Sequence, residues 1–459
     1  RSQMSIKPST SKGTRDFSSE EIVKRNYIKD KLQKAFECYG FSPIETPTFE
    51  RLDTLTGVYG EEGDRLVFKI LNSGDKIKKA NIDALSNGED KKFIYSISEK
   101  ALRYDLTVPF ARYVAQHQNN LIFPFRRYQI QPVWRADRPQ HGRFQEFYQC
   151  DADIVGDKSL WQELEVLSLY NKAFMDLKIE GVTMKVNHRK ILAGIVSFLG
   201  AKSRLYDFTV ILDKLDKIGK DGVFKELKHN NFSTESIQKL KDILDIKGTL
   251  LQKIDKLKKL LSSQKEGLTG LNELEFIFDN IQSKKDSHTN LELDLTLARG
   301  LHYYTGMIVE IEPPSGTKIG SIGGGGRYDD LTGKFGLKNM SGIGISFGFE
   351  RIYLLLEELN LFPDTLKTKT KVLFTNFGNE ATQVSYKFVN QLRELNISCE
   401  IYPTEAKLKK QLGYANSKKI KNVVLIGSEE LKQQKFILKN MESGSQETYP
   451  LSELISILS

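Results

Sequence analysis

Cysteine is scarce in this chain: Cys38, Cys150 and Cys399 are its 3 cysteines among 459 residues. The number is odd and no CxxC pair occurs, so a disulfide scaffold is excluded and reduced thiols in the cytosol are expected. Proline is scarce too, at 12, and with a hydrophobic fraction of 39% this favours a globular protein. The 6 histidines are scattered and show no metal-ligand spacing. No apolar run reaches membrane-spanning length, and no signal peptide is expected; Arg1, Ser2 and Gln3 ahead of Met4 read as added residues. A chain of 459 residues is too long for one core, so two or three domains are expected. Positive charge is what the chain has in excess, with a formal net charge of +9. That surplus favours a polyanionic partner such as nucleic acid, although lysine-rich solvated faces give the same balance.

Four regions follow from periodicity and composition. Residues 1–194 mix helices and strands, beginning with helical spacing from Glu20 to Tyr39 (Ile22, Ile28, Leu32, Phe36) and a stop at Gly40. Residues 195–287 contain no proline and are rich in Lys, Leu, Ile and Asp. Spacing such as Leu251, Ile254, Leu257 and Leu261 predicts a helical insertion, closed by a polar linker at 283–287. Residues 288–362 return to strands from Leu291 to Phe349, followed by a helix over Glu350–Glu358. Past a linker, residues 371–459 read as βαβαβ, with helices at Glu380–Leu395 and Lys407–Lys418, which predicts a small parallel-containing α/β domain.

The most informative stretch is Arg126 to Asp153. Two strand-like runs flank a loop with Asp137, Arg138, His141 and Arg143. At a period of two, Phe147, Gln149, Asp151 and Asp153 share one face, and Tyr148, Cys150, Ala152 and Ile154 share the other. One face suits a core. The other, under an arginine-rich loop, suits a polyanion beside a small cationic molecule. The run Gly342 to Phe349 has a bare face of Gly342, Gly344, Ser346 and Gly348; a flat base could lie there, and tight sheet-to-helix packing explains it equally well. Arg351, opening the next helix, could stack on a base or meet phosphate. Gly323–Gly326 lacks the GK[ST] of a phosphate loop, and a turn explains it more simply. Leu297 to Gly306 holds Arg299, Tyr303 and Tyr304, for which ordinary packing is the simpler reading. Asp105 and Thr107 are expected on one strand face. Such a pair can hold an ammonium group, although a turn-end Asp and a β-forming Thr explain it as well.

Together these segments resemble the class II aminoacyl-tRNA synthetases. WRADRPQHGRFQEFYQCDAD (134–153) resembles their motif 2 and GIGISFGFERI (342–352) their motif 3. LARGLHYYTG (297–306) and LRYDLTVPFARY (102–113) resemble segments peculiar to the histidyl-tRNA synthetase family, as do KGTRDF (12–17) and YGEEGDRLVFK (59–69). The segments keep the family's order from residue 12 to about 355, and the last region resembles its anticodon-binding domain. The resemblance implies an α+β fold: an antiparallel sheet flanked by helices, a helical insertion and a C-terminal α/β domain. It implies activation of L-histidine by ATP with Mg²⁺, transfer of histidine to the 3′ end of tRNA-His, and a cytoplasmic homodimer.

The resemblance also implies roles. Arg135 meets the α-phosphate and Arg351 the γ-phosphate side. Asp137 faces the adenine amino group, Phe147 stacks on the ring, and Arg143 and Gly348 complete the ATP site. Asp105 and Thr107 take the α-ammonium, with Gln149 near the carboxylate. Asp153 and Tyr304 read the imidazole beside Tyr303, and Arg299 stabilises the charge that develops during attack. Arg138, Gln140, Arg143 and Gln145 form the tRNA acceptor loop. His302 stands where most members have Asp, Gln145 where many have Arg, and Asp105 and Asp153 where many bacterial members have Glu. Two other readings are a synthetase-like regulatory subunit of ATP phosphoribosyltransferase and a class II synthetase for threonine, proline or glycine. The first normally lacks the C-terminal domain, and the segment 299–306 argues against the second.

Overall fold

The alternating residues between 125 and 155 form two long antiparallel strands, Phe125–Trp134 and Glu146–Val155. The structure is a computed structural model that describes residues 7–138, 143–281, 289–298, 304–366 and 370–459, without the side chains of 60–62 and 216. With β1 (Ser42–Pro43) at an edge, the two long strands are β2 and β3 of an eight-stranded sheet. It also holds β4 (Val182–His188), β5 (Thr289–Leu293), β6 (Tyr304–Glu312), β7 (Gly323–Tyr328) and β8 (Gly342–Phe347). Their spatial order is β1-β2-β3-β8-β7-β6-β4-β5. The expected antiparallel sheet is mixed at its margins: β1–β2 and β4–β5 run parallel, and the pairs between them are antiparallel.

Helices line one face. They are α1 (Ser19–Cys38), α3 (Trp161–Asp176), α4 (Arg189–Phe198), α5 (Lys265–Asn280) and α6 (Phe349–Glu358), while α2 (Thr107–His117) lies against the other face, where the Phe110 ring meets the Arg127 guanidinium at 4.1 Å. In α1, Ile28, Leu32 and Phe36 are buried while Ile22 stays exposed, and Gly40 ends it with φ +76°. Phe36 stacks on Tyr128 with ring centroids 5.1 Å apart and meets Phe347 edge-on at 5.6 Å. From α3, Tyr170 and Phe174 reach Phe347 at 4.8 and 5.9 Å. Cys150, Ala152 and Ile154 are fully buried, as their shared face predicts.

One charged pair lies inside this apolar layer. Arg327 of β7 donates from Nε and Nη2 to the Glu163 carboxylate of α3 at 2.8 and 2.5 Å. Its Nη1 donates to the Asp157 carbonyl at 2.7 Å, and Nη2 also to the Ser159 carbonyl at 3.0 Å. This fork-to-fork geometry satisfies both ions without water.

Between β4 and β5 run α4, four helices (Leu205–Leu212, Leu215–His229, Thr234–Leu244, Leu250–Leu260) and α5. Helices α4 and α5 approach so closely that a Cβ on Gly194 would stand 2.5 Å from the Gly267 Cα. No helix among the described residues is long and apolar enough to cross a membrane.

The chain divides into two compact units, residues 1–17 with 24–361 and residues 18–23 with 362–459. The second carries β9 (Val372–Phe374), α7 (Asn379–Glu394), β10 (Cys399–Ile401), α8 (Leu408–Ser417), β11 (Asn422–Leu425), β12 (Lys435–Asn440) and β13 (Gln446–Pro450). Its sheet order is β10-β9-β11-β12-β13. β9 is parallel to both neighbours, and β12 and β13 add antiparallel strands. Val372, Phe374 and Val424 enter one core, and Leu373, Val423 and Leu425 another. Burial on both faces explains why these strands read as unbroken apolar runs.

Glu163→Gln leaves Arg327 charged and underpaired in the core. Urea denaturation is expected to show a loss of about 3–5 kcal/mol. The pair Glu163→Leu with Arg327→Leu should recover most of that loss, and a single-variant loss below about 1 kcal/mol would show the pair to be dispensable.

Candidate active site

The other face of the sheet, against which α2 begins, is polar and built in cross-strand rows. One row runs Arg127 (β2), Asp153 (β3), Gly344 (β8) and Gly326 (β7). The next runs Gln129, Asp151, Ser346 and Gly324. Two glycines in these rows make room for neighbouring side chains. A Cβ on Gly344 would collide with the Asp153 carboxylate, and one on Gly326 would stand 2.9 Å from Tyr304 Cδ1. Gly342 likewise lies under the Tyr328 ring. The expected platform for a flat base is therefore covered at Gly342 and Gly344 by the protein's own side chains.

Asp153 is buried. Its Oδ2 accepts from the Tyr328 hydroxyl at 2.7 Å. Its Oδ1 lies 3.1 Å from Arg127 Nη2, an ion pair without hydrogen-bond alignment. Burial raises the Asp153 carboxyl above its ordinary range, while Arg127 and Tyr328 pull it back. Burial also raises the Tyr328 hydroxyl well above 10, with the adjacent Asp153 charge adding to it. At Asp151 burial dominates and lifts the carboxyl to about 7; Arg127 and a Ser346 hydrogen bond oppose it, and Asp153 and Asp105 add to it. Thr107, Asp151, Asp153, Tyr304, Tyr328 and Ser346 line one cleft. Among the described residues, no three His, Cys, Asp or Glu side chains converge as a metal cage.

Asp105 and Thr107 are not on a strand. The nearest strand, Lys100–Leu102, stops before them, and Thr107 is the first residue of α2. Asp105 Oδ1 accepts the Val108 N–H at 3.1 Å and so caps the helix. Pro109, in the first turn, has no N–H to waste. The same oxygen accepts the Tyr59 hydroxyl at 2.9 Å, and burial raises the Asp105 carboxyl. The pair still reaches the site from the helix start, where Leu106 N–H donates to Gln149 Oε1 at 3.0 Å.

At the other end of β3, Arg135 donates from Nε to the Tyr104 carbonyl at 3.0 Å. Its guanidinium lies 4.3 Å from the Tyr104 ring centroid and 5.2 Å from that of Phe147. Arg351 donates to the Ser321 carbonyl at 2.7 Å, and Gly348 caps α6 with its N–H on Ile322 at 2.7 Å. Tyr304 opens β6, and its carbonyl accepts from Arg189 Nε at 3.3 Å. Arg138 and Arg143 are exposed. Arg299, Tyr303, Gln140, His141 and His302 lie outside the described residues.

Gln145 is held in its loop by three hydrogen bonds. Its Nε2 donates to the Asp137 carbonyl at 2.9 Å, its carbonyl accepts the Arg135 N–H at 2.9 Å, and its N–H donates to the Gly13 carbonyl at 2.8 Å. A Cβ on Gly13 (φ +79°) would stand 2.6 Å from Gln145 Cγ.

Comparison with known proteins meets this geometry. Residues 95–352 match the histidyl-tRNA synthetase family and residues 371–459 an anticodon binding domain. A histidine–tRNA ligase of Christiangramia forsetii is 57% identical over 99% of this chain and 100% of its own. That of Flavobacterium johnsoniae is 54% identical over 96% and 97%. The crystal structure of histidyl-tRNA synthetase from Nostoc sp. PCC 7120 superposes with a TM-score of 0.82 at 30% identity, covering 99% of each chain. The chain belongs to the histidyl-tRNA synthetase family.

Within this histidyl-tRNA synthetase fold, sequence reasoning missed Arg127, Tyr328 and Tyr59, the partners of the two carboxylates. Arg127 was within reach, since registering the hairpin places it opposite Asp153. The Tyr328 and Tyr59 contacts join segments 175 and 46 residues apart, and no local pattern signals them.

Two outcomes follow. Gly344→Ala should displace the Asp153 carboxylate and cost about 1–3 kcal/mol in denaturation experiments; an unchanged midpoint would mean that the carboxylate yields freely. Asp151 titrates near 3.8 when exposed and near 7 when folded. The folded chain therefore binds its proton more tightly, and stability falls as pH rises through that window before levelling. Asp151→Asn removes this penalty. Its Tm should exceed the parent's at pH 8, with a narrower gap at pH 5; a gap that widens at pH 5 would contradict the assignment.

Proposed function

We propose that this chain joins L-histidine to tRNA-His in two steps. The histidine carboxylate first attacks the α-phosphorus of ATP, and pyrophosphate departs with the P–O electron pair. A ribose hydroxyl at the tRNA 3′ end then attacks the carbonyl of histidyl-adenylate and releases AMP. The observation that carries this reading is the cleft that sets two buried carboxylates, Asp151 and Asp153, beside Thr107, Tyr304 and Tyr328, in a chain similar over its whole length to histidine–tRNA ligases.

The first step brings two anionic groups together, so fixed cations and positioning supply the rate, and no protein nucleophile is needed. Arg135 would meet the α-phosphate from between the Tyr104 and Phe147 rings, and Arg351 the γ-phosphate side. Phe147 would stack on adenine, with Asp137 at its amino group and Arg143 and Gly348 beside the nucleotide. Asp105 and Thr107 would hold the ammonium, and Gln149 would lie near the carboxylate. Imidazole needs an acceptor and a donor facing it, and Asp153 and Tyr304 supply that pair. An apolar amino acid of similar size would leave both unpaired. Arg299 and Tyr303 enter on resemblance alone. Mg²⁺ would arrive on the nucleotide, since such ions keep most of their water and need few protein ligands.

Arg138, Gln140 and Arg143 are left for the tRNA acceptor end. Gln145, whose amide donates to the Asp137 carbonyl, would join them at the base of the loop. The helices of 195–287 would clamp the acceptor arm, residues 371–459 would bind the anticodon, and the working form would be a cytosolic homodimer. A regulatory-subunit role is disfavoured by the anticodon binding domain at 371–459.

Histidine-dependent ATP–pyrophosphate exchange tests the reading. Exchange with histidine and not with threonine, proline or glycine is expected. Folded protein that gives no exchange with Mg²⁺ and histidine would end the proposal. Arg135→Ala and Arg299→Ala should each lower kcat/KM by about 10²–10³-fold while circular dichroism is retained.

A further inference from the structure

Asp151 has no role in the scheme above, yet its surroundings are those of a binding residue. It is 5% exposed, and its Oδ1 is buried without a hydrogen-bond partner. On the same face, Arg127 Nε and Gln129 Oε1 are also buried and unpartnered. Buried polar groups are rarely left so, and one that lines a cleft, as Asp151 does, points to a ligand that completes it. The neighbouring carboxylates are already engaged. Asp153 already has protein partners in Tyr328 and Arg127 at the place proposed for the ring, and Asp105 Oδ1 has them in Tyr59 and Val108.

Strand geometry says which part of the ligand Asp151 meets. Gln149, Asp151 and Asp153 follow one another on one face of β3, so the outer two are about 13 Å apart at the backbone and Asp151 is midway. If the amino acid lies with its carboxylate toward Gln149 and its ring toward Asp153, its Cα and ammonium pass over Asp151. The charged groups facing that position are Arg127 from β2, Asp153 from β3 itself and Asp105 from the turn before α2, with the Ser346 hydroxyl from β8. An incoming ammonium therefore meets a carboxylate that burial has left ready to ionise beside it.

We propose that Asp151 is a second carboxylate for the substrate's α-ammonium, acting with Asp105, and that its contact sets affinity for the amino acid. The proposal rests on the functional reading above and assigns a residue to it.

The test measures exchange kinetics and equilibrium binding for the parent, Asp151→Asn and Asp151→Ser. Two probes are used: histidinol, which keeps ammonium and imidazole, and imidazolepropionate, which lacks the ammonium. Asp151→Asn is expected to raise the histidine KM by about 10–100-fold, the worth of one charge-assisted hydrogen bond, with kcat changed far less. Histidinol should weaken in parallel and imidazolepropionate should not. Equal weakening of both probes would assign Asp151 to the ring, and loss of kcat at constant KM would make it a positioning residue; either overturns the proposal. Should Asn hold the ammonium through its amide oxygen, Asp151→Ser removes that oxygen and decides the case. A parent enzyme inactive in exchange would instead count against the functional reading.

Discussion

A carboxylate in the middle of a sheet must be neutralised from within that sheet, and Asp153 is served by three strands at once. Arg127 supplies the cation from β2 and Tyr328 the hydroxyl from β7, while Gly344 on β8 leaves the space between them. Removing any one of them exposes an uncompensated charge or blocks its place. The same contacts lock the hairpin. A slip of one residue would turn Arg127 toward the helices and bring Cys150, Ala152 and Ile154 to the polar face. The buried ion pair thus specifies the register on which every other site residue depends.

The two faces of the sheet are stabilised differently, and the contrast locates function. Behind it, Arg327 and Glu163 satisfy one another on the side of the sheet where Tyr170 packs on Phe347. In front, atoms of Asp151, Arg127 and Gln129 stay unpaired and the carboxyl groups are pushed upward. Unpaired buried groups lower stability, so they persist where a ligand supplies the missing partner. Membership in the histidyl-tRNA synthetase family supplies a suitable ligand, a zwitterion with a ring that both donates and accepts.

What the sequence disclosed was whatever has a short period. The division of β3 into Phe147–Asp153 and Tyr148–Ile154 faces survives in the structure because strand alternation is local. The C-terminal βαβαβ order survives for the same reason, with strands shortened at their ends. Asp105 and Thr107 were misplaced because a helix cap competes with strand alternation, and the Asp105 carboxylate settles that contest through the Val108 N–H. The glycine face at 342–348 was legible as a need for space, but what fills the space comes from Asp153 and Tyr328, far away in the chain. Charge pairs such as Arg327 with Glu163 are long-range products of topology and leave no trace in spacing.

The segment Lys12–Phe17 shows how such pairs couple parts that sequence lists separately. Gly13 holds the base of the 135–145 loop through Gln145. Two residues on, Arg15 lies 3.8 Å from the Phe144 ring centroid and binds Glu350 at 2.6 Å, while Arg25 grips the same carboxylate at 2.7 and 2.9 Å. Glu350 adjoins Arg351, and Gln145 holds both Arg135 and Asp137. The two halves of the proposed nucleotide site, one from each strand-and-loop motif, are therefore tied to one short strap. A side chain at 145 that pointed outward would release Asp137, and its own partner Gly13 would lose the surface it packs on. Resemblance assigns position 145 to nucleic acid because it compares side chains at one place in a loop. In this chain the Gln145 amide also donates to the Asp137 carbonyl, and with the strap this fixes where the position sits in the loop.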